Sequence, residues 1–382
     1  MHYLPAEFPL DPDICYLNHA AVAPWPRRTA QAVERFAYEN MSRGAADYPR
    51  WMATLGRLRE RLAWLIGAPS PDDIALVKNT SEGLSLVAAG LDWKPGDRVV
   101  GIADDFPSNR VVWEALADRG VGFDTVDVNA ADDPEQALID RLGERTRLLA
   151  VSSVHFASGL RLDLGRLSTA CRERGVLLCL DAIQSLGARP FDLNETPVDF
   201  VVADGHKWLL GPEGLGLFYV APALRERLRL CQFGWAMREH AGDYDPGPWT
   251  PAVSARRFEP GSPNMLGVHA LEASLSLLQE IGMHEVERHL LGNVGYLRGA
   301  LSALPGLRFV TPEEPARHAG ILSFRIAGVD MDRLHRELMQ DGVICALRGG
   351  NLRFSPHFHT RTDTLDMAVE RLENALTRCR SS

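Results

Sequence analysis

The sequence predicts an α/β protein with a large domain, whose mostly parallel sheet is covered by helices, and a smaller α+β C-terminal domain. Two observations support the sheet. Strand-like and helix-like segments alternate from Arg98 to Val220, which is typical of βαβ units. Apolar runs such as Leu148–Val151 and Val176–Leu180 contain no polar alternation, as expected of strands that are buried on both faces.

The first part of the chain is predicted to be mainly helical. We expect residues 1–15 to form an irregular arm. Apolar residues then recur at helical spacing in Arg27–Arg43 and Arg50–Ile66, with charged residues on the other face. A short strand over Ile74–Val77 precedes Asn79–Gly83, a run with two hydroxyl residues that opens the next helix. These helices therefore lead directly into the sheet.

The alternating region supplies the strands of the sheet and the helices that cover it. We predict helices in Val111–Asp118, Pro134–Leu142 and Leu167–Glu173, and strands in Val99–Ala103, Phe123–Val128, Leu148–Val154, Val176–Leu180, Phe200–Ala203 and Leu215–Val220. Polar residues follow several of these strands, and an α/β sheet gathers such residues in the crevice at the carboxyl ends of its strands.

The C-terminal part has a different pattern of helices and strands. Residues 231–263 are rich in Gly, Pro and Trp and are predicted to form a long irregular segment. Loops of this length usually have a functional or interface role. Helical patterns near 284–304 and 332–341 then alternate with short strands, one of them over Val343–Ala346, and Thr362–Arg378 forms a last amphipathic helix. The predicted division is an N-terminal arm (1–15), a large domain (16–262) and a small domain (263–382).

Composition excludes several classes of function. The net charge of −9 comes without a basic stripe, so we expect no nucleic-acid partner. The six cysteines are scattered, without metal-ligand spacing, which predicts neither a metal site nor a disulfide framework. The N-terminus lacks the features of a signal peptide and no segment reaches membrane-spanning length. We therefore expect a cytoplasmic protein without a membrane partner.

Four kinds of side chain then point to one cofactor. Lys207 and Asp181 each follow a buried strand, Phe106 follows another, and Thr80 and Ser81 open a helix where an anion can bind. A lysine for a Schiff base, an acid for the pyridine nitrogen, a stacking ring and a phosphate site are what pyridoxal phosphate needs. Taken singly, a surface lysine and an ordinary helix N-cap explain the same residues.

The motifs that carry these residues make the chain recognisable. It resembles the class V aminotransferase group of fold-type I pyridoxal-phosphate enzymes, which includes cysteine desulfurases, isopenicillin N epimerase-like proteins and kynureninase. The resemblance runs from about Tyr16 to the final helix. It rests on the motifs YLNHA, NTSEGLSLVAAGL, DDFPSNRVVW, LCLDAIQSLGA, ADGHKWLLGPEGLG, RRFEPGSPN and LRFSPHF.

The resemblance implies roles around the cofactor ring. Lys207 is the Schiff-base lysine and Asp181 the partner of the pyridine nitrogen. Gln184 contacts the phenolic oxygen of the ring, and Phe106 stacks on the ring. Whether Phe156, where many desulfurases have an asparagine, contacts cofactor or substrate stays open, and so does the role of Asp204.

The resemblance also implies how the phosphate and the substrate are held. Thr80, Ser81 and His206 match the phosphate-binding positions. Ser262 matches a hydroxyl that reaches the phosphate of a neighbouring subunit, which implies a homodimer. Residues on the substrate side are Arg353, which would bind the α-carboxylate of an amino-acid substrate, Asn18 and His19.

One departure from the family pattern bears on the reaction. Cysteine desulfurases carry a nucleophilic cysteine on a loop just before the carboxylate-binding arginine, and Leu347–Arg353 contains none. Cys345 lies in an apolar run, where a buried and inert thiol is the ordinary expectation. The sequence therefore disfavours a persulfide-forming desulfurase.

Several reactions remain open at this point. An amino-acid aminotransferase is the first choice, because the generic reaction of the group needs no extra residue. A C–S or β-eliminating lyase and an amino-acid epimerase are the alternatives. A non-catalytic binding protein on the same fold is a further hypothesis. A nicotinamide-binding enzyme is disfavoured because no G-x-G-x-x-G follows the first strand.

Overall fold

The computed structural model describes residues 4–245 and 247–380. Residues 1–3 of the predicted arm and 381–382 of the predicted small domain lie outside the described residues. The helices are α1 (Leu4–Glu7), α2 (Arg27–Arg43), α3 (Tyr48–Ile66), α4 (Thr80–Gly90), α5 (Ser108–Glu114), α6 (Pro134–Asp140), α7 (Leu164–Arg174), α8 (Pro222–Arg225), α9 (Met265–Ile281), α10 (Met283–Leu301), α11 (Met331–Gln340) and α12 (Thr362–Arg380).

The strands lie close to their predicted positions. They are β1 (Cys15–Tyr16), β2 (Ile74–Val77), β3 (Arg98–Ile102), β4 (Gly122–Val126), β5 (Thr146–Ser152), β6 (Leu177–Asp181), β7 (Phe200–Asp204), β8 (Gly216–Val220), β9 (Leu307–Phe309), β10 (Leu322–Ile326), β11 (Val343–Ile344), β12 (Ala346–Arg348) and β13 (Asn351–Phe354). The single strand predicted over Val343–Ala346 is in fact two strands, and Cys345 lies between them.

A seven-stranded sheet in the order β2-β8-β7-β6-β5-β3-β4 forms the centre of the protein. The five strands from β7 to β4 are parallel to one another, and β8 is antiparallel to both β2 and β7. In β7, Val201 and Ala203 belong to one apolar core, whereas Phe200 and Val202 belong to the core on the opposite face. The predicted mostly parallel sheet, covered on both faces, is thus confirmed.

The carboxyl ends of β6 and β7 lie side by side, because Asp181 pairs in register with Val202. Helix α4 crosses this region closely. A Cβ atom at Gly83 of α4 would lie 2.4 Å from Cγ1 of Val202, so only glycine allows this approach without a shift. The N-terminus of α4, which carries Thr80 and Ser81, is thereby brought towards the end of β7.

A second, antiparallel sheet in the order β12-β13-β10-β9 lies in the C-terminal part. The predicted irregular arm contains α1 and leads into β1, which pairs with β11, so Cys15 and Leu17 join the C-terminal core. Helix α9 contributes to the core of the large sheet and packs against α2 and α3. The domain boundaries stay predictions. Within the described residues, none of the helices has the length and hydropathy needed to cross a bilayer.

Candidate active site

A cavity of about 320 Å³ opens at the carboxyl ends of β6 and β7. It gathers side chains from both ends of the chain. The residues that line it are Ala20, Ala21, Asn79, Thr80, Ser81, Phe106, Ser108, Phe156, Asp181, Ile183, Gln184, Asp204, His206, Lys207, Arg348 and Arg353. A larger groove of about 890 Å³ lies between the N-terminal segment and α12, but none of the predicted site residues lines that groove.

Lys207 lies within the cavity and is 8% exposed. It follows β7 after a two-residue turn, and the next residue, Trp208, is fully buried and anchors the turn. Burial lowers the pKa of Lys207, the charge of Asp181 opposes that shift, and the positive charge of Arg353 adds to it. A lower pKa increases the fraction of neutral amine, which is the nucleophilic form.

Asp181 is the last residue of β6 and is 2% exposed. Its carboxylate accepts a hydrogen bond of 3.0 Å from the backbone N–H of Ile183. Burial raises the pKa of Asp181, and the nearby charge of Asp105 raises it further. Among the described residues, no Lys, Arg or His lies within ion-pair distance of this carboxylate. A cationic ring nitrogen in the cavity would supply the missing partner.

The loop after β3 carries Phe106, and a buried acid fixes this loop. The ring of Phe106 is 5.4 Å from Nζ of Lys207 and packs edge-on against Phe156. Asp105 accepts four hydrogen bonds, from the backbone N–H of Phe106 (2.8 Å), Nδ2 of Asn109 (2.8 Å), and Oγ (2.6 Å) and N–H (3.2 Å) of Ser152. Phe106 itself is 42% exposed, so its ring is available to a bound ring system.

The predicted phosphate side contains polar atoms without partners. Oγ1 of Thr80 is buried and has no hydrogen-bond partner among the described residues. Oγ of Ser81 lies 2.7 Å from Oγ of Ser108, and Nδ1 of His206 lies 3.0 Å from Oδ1 of Asp204. These groups surround the N-terminus of α4, whose free N–H groups attract anions. An orphaned hydroxyl at a helix N-terminus is the donor that a phosphate requires, so the site fits pyridoxal phosphate.

Gln184 is fixed at the wall of the cavity by two hydrogen bonds. Its Nε2 donates to the carbonyl of Ala20 (3.1 Å), and its Oε1 accepts from Nε1 of Trp208 (2.9 Å). These bonds join Gln184 to the segment that contains Ala20 and to Trp208, the residue that follows Lys207. The side chain is 2% exposed, so its orientation is determined by the protein.

Arg353 of β13 is 1% exposed and reaches the cavity from the second sheet. One terminal nitrogen donates to the carbonyl of Phe156 (2.7 Å), whereas Nε has no partner among the described residues. Burial lowers the pKa of Arg353. A buried guanidinium with an unused donor is suited to a carboxylate, which it can bind in a bidentate manner.

Three predicted residues lie outside the cavity lining. His19 is fully buried, where its ring contacts the carbonyl of Ser355 and Nε2 of His359, and burial lowers the pKa of His19 to about 4. Asn18 also does not line the cavity, although Ala20 and Ala21 of the same segment do. Ser262 is exposed, and its contact with a neighbouring subunit stays a prediction.

The sequence reasoning missed several residues of the site. Asp105 and Ser108 occur in the quoted motif DDFPSNRVVW, so the signal was present, but no role was assigned to them. Arg348 lines the cavity as a second arginine from the same hairpin as Arg353. Nothing in its sequence context marks it, because its position depends on how β12 pairs with β13.

The cysteine that a desulfurase needs is absent from this hairpin. Strands β12 and β13 are joined directly by Gly349 and Gly350, both at positive φ (57° and 74°), which is the geometry of a two-residue hairpin turn. There is no longer loop that could carry a nucleophile. Cys345 is 3% exposed, and burial raises the pKa of its thiol to about 12. A buried thiol with a raised pKa is a poor nucleophile, and Cys345 does not line the cavity.

Comparisons with known proteins identify the family of the chain. A family model described as aminotransferase class-V matches residues 15–361. A probable cysteine desulfurase of Methanothermobacter thermautotrophicus is 29% identical over 96% of both chains, and an isopenicillin N epimerase of Streptomyces clavuligerus is 30% identical over 95% of both. The cysteine desulfurase CsdA of Escherichia coli has the same fold, with a TM-score of 0.88, 23% identity, and coverage of 99% of this chain and 98% of that chain. The chain therefore belongs to the class V aminotransferase family, and the predicted family, fold type, enzymatic nature and pyridoxal phosphate cofactor are confirmed.

Proposed function

We propose that the protein is an aminotransferase that acts on an amino-acid substrate in the cavity around Lys207. The observation that supports this choice is the arrangement of titratable groups in the cavity lining. Lys207 is a buried amine in the cavity, Oδ1 of Asp204 lies 3.0 Å from Nδ1 of His206, and Asp181 would be the partner of the ring nitrogen. Transamination needs one group to move a proton, and Lys207 is available for it.

Each residue has a defined task in this proposal. When bound, pyridoxal phosphate supplies an aldehyde carbon that captures amino groups and a ring that accepts electrons. Lys207 would hold the cofactor at rest, and its Nζ would then take the α-proton of the substrate and later give it back. Asp181 keeps the pyridine nitrogen protonated, and Arg353 binds the α-carboxylate and so orients the α-carbon towards Lys207.

The cavity lining includes no cysteine among the residues that the structure describes, which disfavours a persulfide-forming desulfurase. The desulfurase names of the relatives therefore do not carry over to the reaction of this chain. An epimerase needs a proton donor and a proton acceptor on opposite faces of the α-carbon, and an eliminating lyase needs a substrate with a leaving group. Both reactions share the first proton transfer to Lys207, so they are the outcomes against which the proposal is tested.

The proposal is tested with purified, cofactor-loaded protein and a panel of amino acids, with and without pyruvate or 2-oxoglutarate. We expect keto-acid formation that depends on the added acceptor and produces the amino acid corresponding to that acceptor. Release of pyruvate or sulfide without an acceptor would instead identify a lyase. A change in optical rotation without a change in composition would identify an epimerase.

We also propose a homodimer in a reducing, cytoplasmic compartment. Ser262 is exposed and outside the cavity, as expected of a hydroxyl that acts in a neighbouring subunit. All six cysteines are free, which is usual in reducing compartments. Light scattering should give the mass of a dimer, and a monomer that is fully active would contradict the shared site. Recovery of the protein in an exported fraction would contradict the location.

A further inference from the structure

The cavity contains a second arginine that the proposed reaction does not use. Arg348, the last residue of β12, lines the cavity together with Arg353. One terminal nitrogen of Arg348 donates to the carbonyl of Leu347 (2.8 Å). Arg348 forms no ion pair with any carboxylate that the structure describes. Its other donors are therefore available to a ligand.

The pairing of the hairpin places both arginines on one face. Ala346 lies opposite Arg353, and Arg348 lies opposite Asn351. Arg348 is two residues from Ala346, so its side chain leaves the same face of the hairpin as that of Arg353. Diagonal neighbours of this type lie ~7–8 Å apart, with their Cβ atoms somewhat closer. Such a separation leaves room for two different anionic groups, one at each guanidinium.

The charge balance of the cavity favours a second anion from the ligand. Arg348 and Arg353 are close enough that the charge of Arg348 lowers the pKa of both Arg353 and Lys207. The two carboxylates in the lining have other neighbours, because Oδ1 of Asp204 lies 3.0 Å from Nδ1 of His206 and Asp181 would be the partner of the ring nitrogen. A cation beside two like charges is unfavourable until an anion binds it.

We propose that Arg348 binds a carboxylate on the side chain of the substrate, so that the substrate is a dicarboxylic amino acid and its keto product a 2-oxo dicarboxylic acid. This inference rests on the proposed function, in which Arg353 binds the α-carboxylate. The two arginines then select a substrate by its two acidic ends. The Gly349–Gly350 turn joins the strands that carry them and fixes their register, and with it their separation.

The inference is tested by binding, with ligands that lack an amino group and cannot react. Cofactor-loaded protein is titrated calorimetrically with glutarate and succinate, and with butyrate and valerate, which have similar chain lengths but one carboxylate. We expect each dicarboxylate to bind at least ~10-fold more tightly, because a charge-assisted hydrogen bond to arginine has this magnitude. In Arg348→Gln the ratio should fall towards 1, and in Arg348→Lys it should be intermediate.

A matched control is Arg325→Gln, since Arg325 is an exposed arginine on β10 of the same sheet and does not line the cavity. It should retain the ratio of the unmodified protein. A ratio near 1 in the unmodified protein would overturn the inference, and so would an unchanged ratio in Arg348→Gln. Because the ligands are unreactive, a protein that prefers dicarboxylates but transfers no amino group would contradict only the proposed function. A transaminase with a ratio near 1 would contradict only this inference.

Discussion

Asp105 is a buried carboxylate that holds the Phe106 loop against β5, and the variant Asp105→Asn tests this role quantitatively. Each of its oxygens accepts two hydrogen bonds. In asparagine, one of the two oxygens is replaced by an NH₂ group. This group is a donor, and it meets the two donors whose hydrogen bonds that oxygen accepted. Two hydrogen bonds to a charged group are worth roughly 1.5–3 kcal/mol each. Because the neutral side chain is easier to bury, part of this loss is offset, and we expect the free energy of unfolding to fall by about 2–4 kcal/mol.

The measurement is urea unfolding of the cofactor-free protein by circular dichroism, together with cofactor titration by absorbance. Cofactor affinity should fall as well, because the loop that carries Phe106 loses part of the hydrogen bonding that fixes it. The control is Asp104→Asn at the neighbouring position, whose side chain is 55% exposed and lies 3.4 Å from Nε2 of His155. That change should alter stability by less than about 1 kcal/mol. If Asp105→Asn is as stable as the control, the role given to Asp105 is wrong.

Three further predictions concern other parts of the site. Thr80→Val removes the orphaned hydroxyl, so cofactor affinity measured by absorbance should fall up to ~10-fold, without loss of stability in the cofactor-free protein; unchanged affinity would place the phosphate elsewhere. Cys345→Ala should retain the rate of amino transfer, since the thiol is buried outside the cavity. Loss of this rate in a variant that still folds would favour a persulfide-forming desulfurase. Burial lowers the pKa of His19 to about 4, and those of His357 and His359 well below their usual range. Below about pH 6.5 the unfolded chain therefore binds protons that the folded chain excludes. The free energy of unfolding should decrease by about 1.4 kcal/mol per pH unit for each histidine as the pH falls. In urea unfolding, His19→Gln should show a shallower dependence of this free energy on pH than the unmodified protein, and an equal dependence would refute this cause.

The sequence predicted the large sheet well because its strands are apolar runs whose pattern depends on local residues. Asp181 and Lys207 were predicted as site residues for a related reason. Each follows such a run, and their residue types suit one cofactor. Their positions at adjacent strand ends then follow from the parallel pairing of β6 with β7, which brings residues of distant sequence to the same edge of the sheet.

Other features depend on contacts between segments that no local pattern reveals. The role of Asp105 requires Ser152, which is 47 residues away. A histidine in a buried cluster and one in a cavity look alike in sequence, and His19 lies in the cluster because His359 and Ser355 pack against it. Arg348 joins the cavity only through the register of a hairpin.

We predict that Lys207 forms the covalent link to pyridoxal phosphate. The most direct test is to reduce the cofactor-loaded protein with borohydride, digest it, and locate the cofactor by mass spectrometry. We predict a yellow protein whose colour is bleached by borohydride, with the added pyridoxyl group on the peptide that contains Lys207 and none in Lys207→Ala. A label on another lysine, or a Lys207→Ala variant that retains the reducible band, would contradict the account.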